Sequence, residues 1–162
     1  MFSFFKKDIK IYAPVTGHTC DLSQVPDEVF SQRMMGEGLA IRPTDGLFVA
    51  PADGKLTMLF GTGHAFGMTL DQNVELLVHI GIDTVELRGE GFEVLARQGQ
   101  LIKAGTPIVR VDLGLIKERG FDTITPVIIT APDTGAGARA KVNCQTDREV
   151  RSPGDVIISV TP

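Results

Sequence analysis

Ile11-Tyr12-Ala13-Pro14-Val15-Thr16-Gly17-His18 returns later in the chain as Phe48-Val49-Ala50-Pro51-Ala52-Asp53-Gly54-Lys55. Each copy reads as a strand, a turn carrying Pro and Gly, and a second strand. A different pair follows. Leu101-Ile102-Lys103-Ala104-Gly105-Thr106-Pro107-Ile108-Val109-Arg110-Val111 returns as Val150-Arg151-Ser152-Pro153-Gly154-Asp155-Val156-Ile157-Ile158-Ser159-Val160. The two motifs run in the order A, A, B, B, so the halves are interleaved rather than tandem. The simplest physical account is an all-β antiparallel sandwich or flattened barrel with internal pseudo-symmetry, in which related strands pair across the middle.

The rest of the chain agrees. Short stretches rich in Val, Ile, Thr and Phe predict strands at 9–13, 39–43, 47–50, 55–60, 65–70, 74–80, 84–87, 108–112, 126–130, 139–143 and 156–160. Asp112, an N-cap residue, and Gly120, a closing glycine, predict one short helix between them. The stretch 91–96 predicts a second helical turn. No linker or low-complexity segment interrupts residues 1–162, which read as one domain with 1–8 as a short tail.

Composition narrows the function. A chain of 162 residues with 43% hydrophobic content can bury a real core. A net charge of −4 with scattered Lys and Arg argues against nucleic acid, whose phosphates demand a basic footprint. Cys20 and Cys144 are too few for a disulfide scaffold and read as reduced thiols. His18-Thr19-Cys20 lacks further ligands at metal spacing. No apolar run approaches the roughly 18 residues that span a bilayer. Met1-Phe2-Ser3-Phe4-Phe5-Lys6-Lys7 is too short for a signal peptide and offers at most a weak surface contact. The expectation is a soluble cytoplasmic protein.

Of three histidines, two bracket one predicted hairpin: His64 in Gly61-Thr62-Gly63-His64-Ala65-Phe66-Gly67, and His79 in Val74-Glu75-Leu76-Leu77-Val78-His79-Ile80-Gly81-Ile82-Asp83. With Asp71-Gln72 as a two-residue loop, His64 faces His79 directly. Alternation along 74–82 sends Leu76, Val78, Ile80 and Ile82 to the core, and Glu75, Leu77, His79 and Gly81 to the outer face. Small residues around the pair leave room for a ligand.

Three chemistries compete for such a pair. A metal needs three or four ligands, and Asp83 reaches the pair only if the chain bends after Gly81. A hydroxyl nucleophile activated by His has only Thr62 nearby. The third option is a histidine that itself attacks phosphorus while the other donates to phosphoryl oxygens. No Lys or Arg lies between Lys55 and Arg88. A group that must be passed onward is poorly served by fixed cations that would hold it. No P-loop is present, so direct use of a nucleotide is not expected.

Several stretches resemble the glucose-family enzyme IIA of the bacterial sugar phosphotransferase system. They are Val25-Pro26-Asp27-Glu28-Val29-Phe30, Gly36-Glu37-Gly38-Leu39-Ala40-Ile41-Arg42-Pro43, His64-Ala65-Phe66, Val78-His79-Ile80-Gly81-Ile82-Asp83-Thr84-Val85-Glu86-Leu87 and Gly89-Glu90-Gly91-Phe92. The resemblance implies a sandwich built from a duplicated hybrid motif. It implies that His79 accepts a phosphoryl group from phosphohistidine HPr and passes it to a cysteine on the IIB domain of a sugar permease. His64 would stabilise the phosphoryl group and Thr62 would orient His64. Phe30, Phe60, Phe66 and Leu77 would form an apolar docking rim, and Asp27 and Asp83 an acidic collar. No cofactor is required; zinc bridging His64 and His79 with a partner carboxylate is compatible with the family. The chain departs from some relatives at Leu77, where an aromatic also occurs, in the short Gly-rich segment 133–137, and in lacking a long N-terminal extension, so membrane tethering is not expected.

Other readings stay open from the residues alone. A zinc hydrolase of the lysostaphin type needs an H-x-H pair that is absent. A biotinyl or lipoyl carrier needs a Met-Lys-Met or Asp-Lys-Ala turn, also absent. A regulatory binding protein could use the same surface without phosphorylation.

Overall fold

The computed structural model describes residues 7–130 and 141–162. In chain order the first half forms β1 (Ile9–Tyr12), β2 (Gly17–Asp21), helix α1 (Glu28–Ser31), β3 (Glu37–Pro43), β4 (Leu47–Val49), β5 (Gly54–Leu59), β6 (Ala65–Thr69) and β7 (Glu75–His79). The second half forms β8 (Phe92–Val94), β9 (Leu101–Ile102), β10 (Pro107–Val111), helix α2 (Leu113–Glu118), β11 (Thr125–Ile129), β12 (Lys141–Cys144), β13 (Glu149–Val150) and β14 (Val156–Thr161).

The interleaved repeat explains how these strands join. The first A copy, β1 and β2, pairs with the second B copy, β14 and β13. The second A copy, β4 and β5, pairs with the first B copy, β10 and β9. The A copies also bond to each other reciprocally. Tyr12 N–H donates to the Pro51 carbonyl at 2.7 Å, and Val49 N–H donates to the Pro14 carbonyl at 2.8 Å. Positions 12 and 49 are equivalent in the repeat, as are 14 and 51. Ala13 donates to Asp155 at 2.7 Å just as Ala50 donates to Thr106 at 2.8 Å. The pseudo-symmetry is therefore written in the backbone hydrogen bonds.

The result is an antiparallel sandwich. One sheet of eight strands runs β13-β2-β3-β11-β7-β6-β5-β9, with three-stranded sheets β1-β14-β12 and β4-β10-β8. The large sheet ends on β13 and β9, which do not pair with each other, so it does not close into a barrel. Its inner face meets the main core, where Leu39, Ile41, Phe66, Met68, Leu76, Val78, Val127 and Ile129 are buried. Strand alternation sends the intervening side chains outward. There a second, smaller apolar cluster gathers Cys20, Leu22, Val25, Phe30, Ala65, Leu77, Ile82, Ile124 and Ile128.

Four expectations change. The loop between β6 and β7 has three residues, 71–73, closed by Leu70 N–H to Val74 at 2.7 Å. Gln72 and Asn73 both adopt left-handed backbone, which a two-residue count does not foresee. The stretch 84–87 is a 3₁₀ turn, not a strand, because Asp83 and Arg88 at its ends are left-handed and break any extended run. The stretch 91–96 contains strand β8 in place of a helical turn. Finally, Leu77 points outward from the large sheet but is buried in the second cluster, and Ile82 joins that cluster rather than the main core. The helix at Asp112 forms as expected, with Asp112 Oδ1 accepting from Leu115 N–H at 3.1 Å. The tail residues 1–6, the segment 133–137, and residues 139 and 140 of the strand expected at 139–143 lie outside the described residues.

Candidate active site

His79 ends β7, at the point where the chain turns off the sheet. Its Nδ1 lies 2.7 Å from the Gly81 carbonyl. A carbonyl only accepts, so Nδ1 carries the proton and donates. In the neutral ring the lone pair is then on Nε2. The turn that brings the carbonyl back depends on glycine. Gly81 has φ +77°, and a Cβ there would stand 2.6 Å from the Thr84 methyl and 2.8 Å from the Asp122 carbonyl. Ile82 N–H donates to that same Asp122 carbonyl at 3.0 Å, holding the turn against the strand neighbourhood of β11.

His64 does not face His79 in the ladder, contrary to the two-residue loop reading. The three-residue loop shifts the register by one, so Ala65 opposes His79 and His64 opposes Ile80. The rings nevertheless meet, with centroids 5.4 Å apart and planes at 78°. His64 lies in a bend just outside β6, after Gly63 at φ +78°, so strand alternation does not govern its side chain. Thr62 Oγ1 lies 2.6 Å from His64 Nδ1. Phe60 stacks on the His64 ring at 4.8 Å, and Phe30 leans on His79 at 5.2 Å. Both imidazoles are thus held by one short hydrogen bond at Nδ1 and one aromatic neighbour.

The electrostatics favour neutral rings. Burial, together with the nearby His79, pushes His64 down to about 4. Burial also lowers His79, against the Gly81 carbonyl, Asp27 and Asp83, all of which favour its charged form. Both carboxylates are therefore close enough for the His79 ring to feel them. Asp27 itself caps α1, accepting from Val29 N–H at 2.9 Å. A neutral ring with its lone pair on Nε2 is favoured at neutral pH, with the negative charges of Asp27 and Asp83 bearing on it.

The expected apolar rim is placed only in part. Phe60 is 45% exposed beside His64. Phe30 and Leu77 are buried in the second cluster, though Phe30 touches His79. Phe66 is 0% exposed within the main core, so it is a core aromatic and not part of a rim. Its position on β6 alternates with Ala65, which faces the other way. Apolar side chains that sequence reasoning passed over are exposed in the α1 region: Val29, Met34 and Met35, together with Val85 on the 3₁₀ turn after Asp83. Asp27, the N-cap one residue before α1, was the available signal for that helix.

Two imidazoles alone do not complete a tetrahedral metal site. Among the described residues no group of three or more His, Cys, Asp or Glu is arranged to hold an ion. Zinc at His64 and His79 would need outside ligands. Among the described residues no helix is long and apolar enough to cross a membrane.

Residues 9–134 match the family model described as phosphoenolpyruvate-dependent sugar phosphotransferase system, EIIA 1. The chain belongs to this family. It is a phosphotransferase component, a phosphoryl carrier in sugar uptake. It is 44% identical over 156 residues to a PTS system glucose-specific EIIA component of Staphylococcus aureus (strain Mu50 / ATCC 700699), covering 96% of this chain and 92% of that one. It is 55% identical over 120 residues to a PTS system glucoside-specific EIICBA component of Staphylococcus carnosus (strain TM300). That match takes in 74% of this chain but only 17% of the longer relative. Among solved structures, glucose permease IIA from Mycoplasma capricolum superposes with a TM-score of 0.84 at 40% identity, covering 98% of this chain and 99% of that one.

Proposed function

We propose that His79 Nε2 carries the phosphoryl group, received from phosphohistidine HPr and delivered to a cysteine of a IIB domain serving glucose or a related sugar. The observation that supports this most directly is the Nδ1–H to Gly81 carbonyl bond at 2.7 Å, which leaves Nε2 as the free nucleophile. The Nε2 lone pair attacks phosphorus, the donor N–P bond breaks, and its electron pair returns to the donor imidazole. The phosphorylated His79 ring then bears positive charge, which the Gly81 carbonyl stabilises. Delivery reverses this: a cysteine thiolate forms the S–P bond, the N–P bond breaks, and His79 returns to neutral.

His64 is the phosphoryl-holding partner in this reading. Accepting at Nδ1 from Thr62 O–H makes its Nε2–H a donor for a phosphoryl oxygen. Because burial keeps it neutral, it holds the group without the grip of a full cation. The glucose and glucoside names of the relatives support the sugar class, and the relative that joins EIIA to further PTS components supports a IIB acceptor. Asp27 and Asp83 would meet basic residues on a partner, around an apolar centre that includes Phe60 and the residues beside α1. The chain would act in the cytoplasm as a single EIIA domain, 1–162, with no required cofactor.

Intact-mass measurement after incubation with phosphoenolpyruvate, enzyme I and HPr tests the proposal. One acid-labile phosphate is expected on the wild type and none on His79→Ala. His64→Gln should accept phosphate yet transfer it to IIB on the order of 10²-fold more slowly. A wild type that takes no phosphate would overturn the reading.

A further inference from the structure

The turn that presents the Gly81 carbonyl is held by a residue beyond the histidine pair. Thr84 is 0% exposed, and its hydroxyl donates to the Ile80 carbonyl at 2.5 Å. Its methyl occupies the space where a Gly81 side chain would lie. Ile80 is a shared node, because its N–H also donates to the His64 carbonyl at 2.7 Å. The backbone leading from His64 through Ile80 to Gly81 is therefore pinned on both sides of one residue. The pinning has something to resist. Gly81 at φ +77° and Asp83 at φ +59° put two left-handed residues within three positions. A buried hydroxyl donating to one carbonyl is well suited to hold such a turn.

We infer that Thr84 is a positioning residue for phosphoryl transfer. By fixing the Ile80–Gly81 peptide it aims the Gly81 carbonyl at His79 Nδ1 and so selects the tautomer with a free Nε2. This rests on the reading of His79 as nucleophile. It adds a claim about hydroxyl chemistry that a packing role does not make. A methyl alone would fill the space; only the O–H fixes the carbonyl.

Two pairs of variants isolate the hydroxyl. Wild type against Thr84→Val changes O–H for CH₃ at nearly constant shape. Thr84→Ser against Thr84→Ala changes it with the methyl already gone. Each protein is read in two ways: ¹⁵N shifts of the His79 ring, which report the tautomer without any phosphorylation, and the rate of phosphate uptake from HPr. With the hydroxyl, the His79 ring should be dominated by the Nδ1–H form; without it, the two tautomers should mix. Uptake should fall about tenfold from wild type to Thr84→Val, and by a similar factor from Thr84→Ser to Thr84→Ala. Either pair suffices if one variant does not fold. Equal rates and equal ring spectra within a folded pair would overturn the inference. A loss of rate that follows the methyl, shared by serine and alanine, would also overturn it. Absence of phosphate on wild-type His79 would instead defeat the underlying reading, while the ring spectra would still report on Thr84.

Discussion

The eight-stranded sheet contains the same local arrangement twice, and only one copy carries the histidine pair. Its strand order is matched about the β11–β7 junction, so β3 and β11 on one side correspond to β6 and β7 on the other. Gly38 opposes Ile128 as Ala65 opposes His79. Two residues before Gly38 is Gly36, and two before Ala65 is Gly63, both with positive φ. Between them stand Glu37 and His64. The position of the histidine pair is thus occupied on the other side by Glu37 and Ile128. Ile128 is fully buried, and Glu37 is bound to Arg33 at 2.6 Å. The duplication supplies a frame, and beside the histidines stand Thr62 and Gly81 where the other side has Met35 and Thr130.

Gly81→Ala should break that distinction most severely. The new Cβ would meet the Thr84 methyl at 2.6 Å and the Asp122 carbonyl at 2.8 Å, in a left-handed backbone. Phosphate uptake should fall by roughly 100-fold, and stability by about 2–3 kcal/mol, readable by mass and by denaturant unfolding. Uptake at the wild-type rate would show that the Gly81 carbonyl does not set the nucleophile.

The converse change asks whether the frame alone can host the chemistry. Ile128→His with Glu37→His puts the residue pair at the corresponding place, in protein that also carries His79→Ala. No phosphate should appear, because Thr130, in the place of Gly81, donates its N–H to the Glu75 carbonyl at 2.9 Å and so stays on the ladder. Burying an imidazole in the second apolar cluster should cost about 2–3 kcal/mol. Phosphate on either introduced histidine would mean that the frame is enough.

Acid should separate the halves too. In the folded protein His64 titrates at about 4, below its unfolded value near 6.5. The unfolded state therefore binds the proton more readily, and stability is full above about pH 6.5 and declines as pH falls toward 4. That decline should be about 2–3 kcal/mol from this group and should be largely absent in His64→Gln. Identical acid profiles for the two proteins would contradict the buried, neutral His64.

Much of this was legible in the residues, for physical reasons that can be named. The A and B motifs foretold a pseudo-symmetric antiparallel sandwich because a Pro-and-Gly turn and its strands repeat as a unit, but not that each A copy pairs with a B copy. The histidine pair stood out because both lie near glycines at the ends of adjacent strands. The register was not legible, since left-handed Gln72 and Asn73 lengthened the loop by one residue that no local pattern demanded. Nor was the second apolar cluster, which assembles Cys20, Phe30, Leu77 and Ile128 from remote parts of the chain. Without it Leu77 looked exposed, while Phe66 is covered by the main core instead. The alternation of Val85 and Leu87 imitated a strand because it could not report the backbone of Asp83 and Arg88.

The smallest effect is expected at Glu37, and its smallness is informative. Glu37 shares Arg33 with Asp21, which lies 2.9 Å from the same guanidinium. Arg33 follows α1, the helix that holds Phe30 against His79, so a physical route from Glu37 to the site exists. Glu37→Gln removes one limb of a half-exposed ion pair and leaves the other. It should therefore cost no more than about 0.5 kcal/mol, a difference that shrinks in high salt. Phosphate uptake should stay within about twofold of wild type. If uptake instead fell in step with salt-sensitive stability, Arg33 would be carrying strain from one side of the sheet to the other. The two arrangements would then be coupled parts of one device, not a frame with chemistry added to one side.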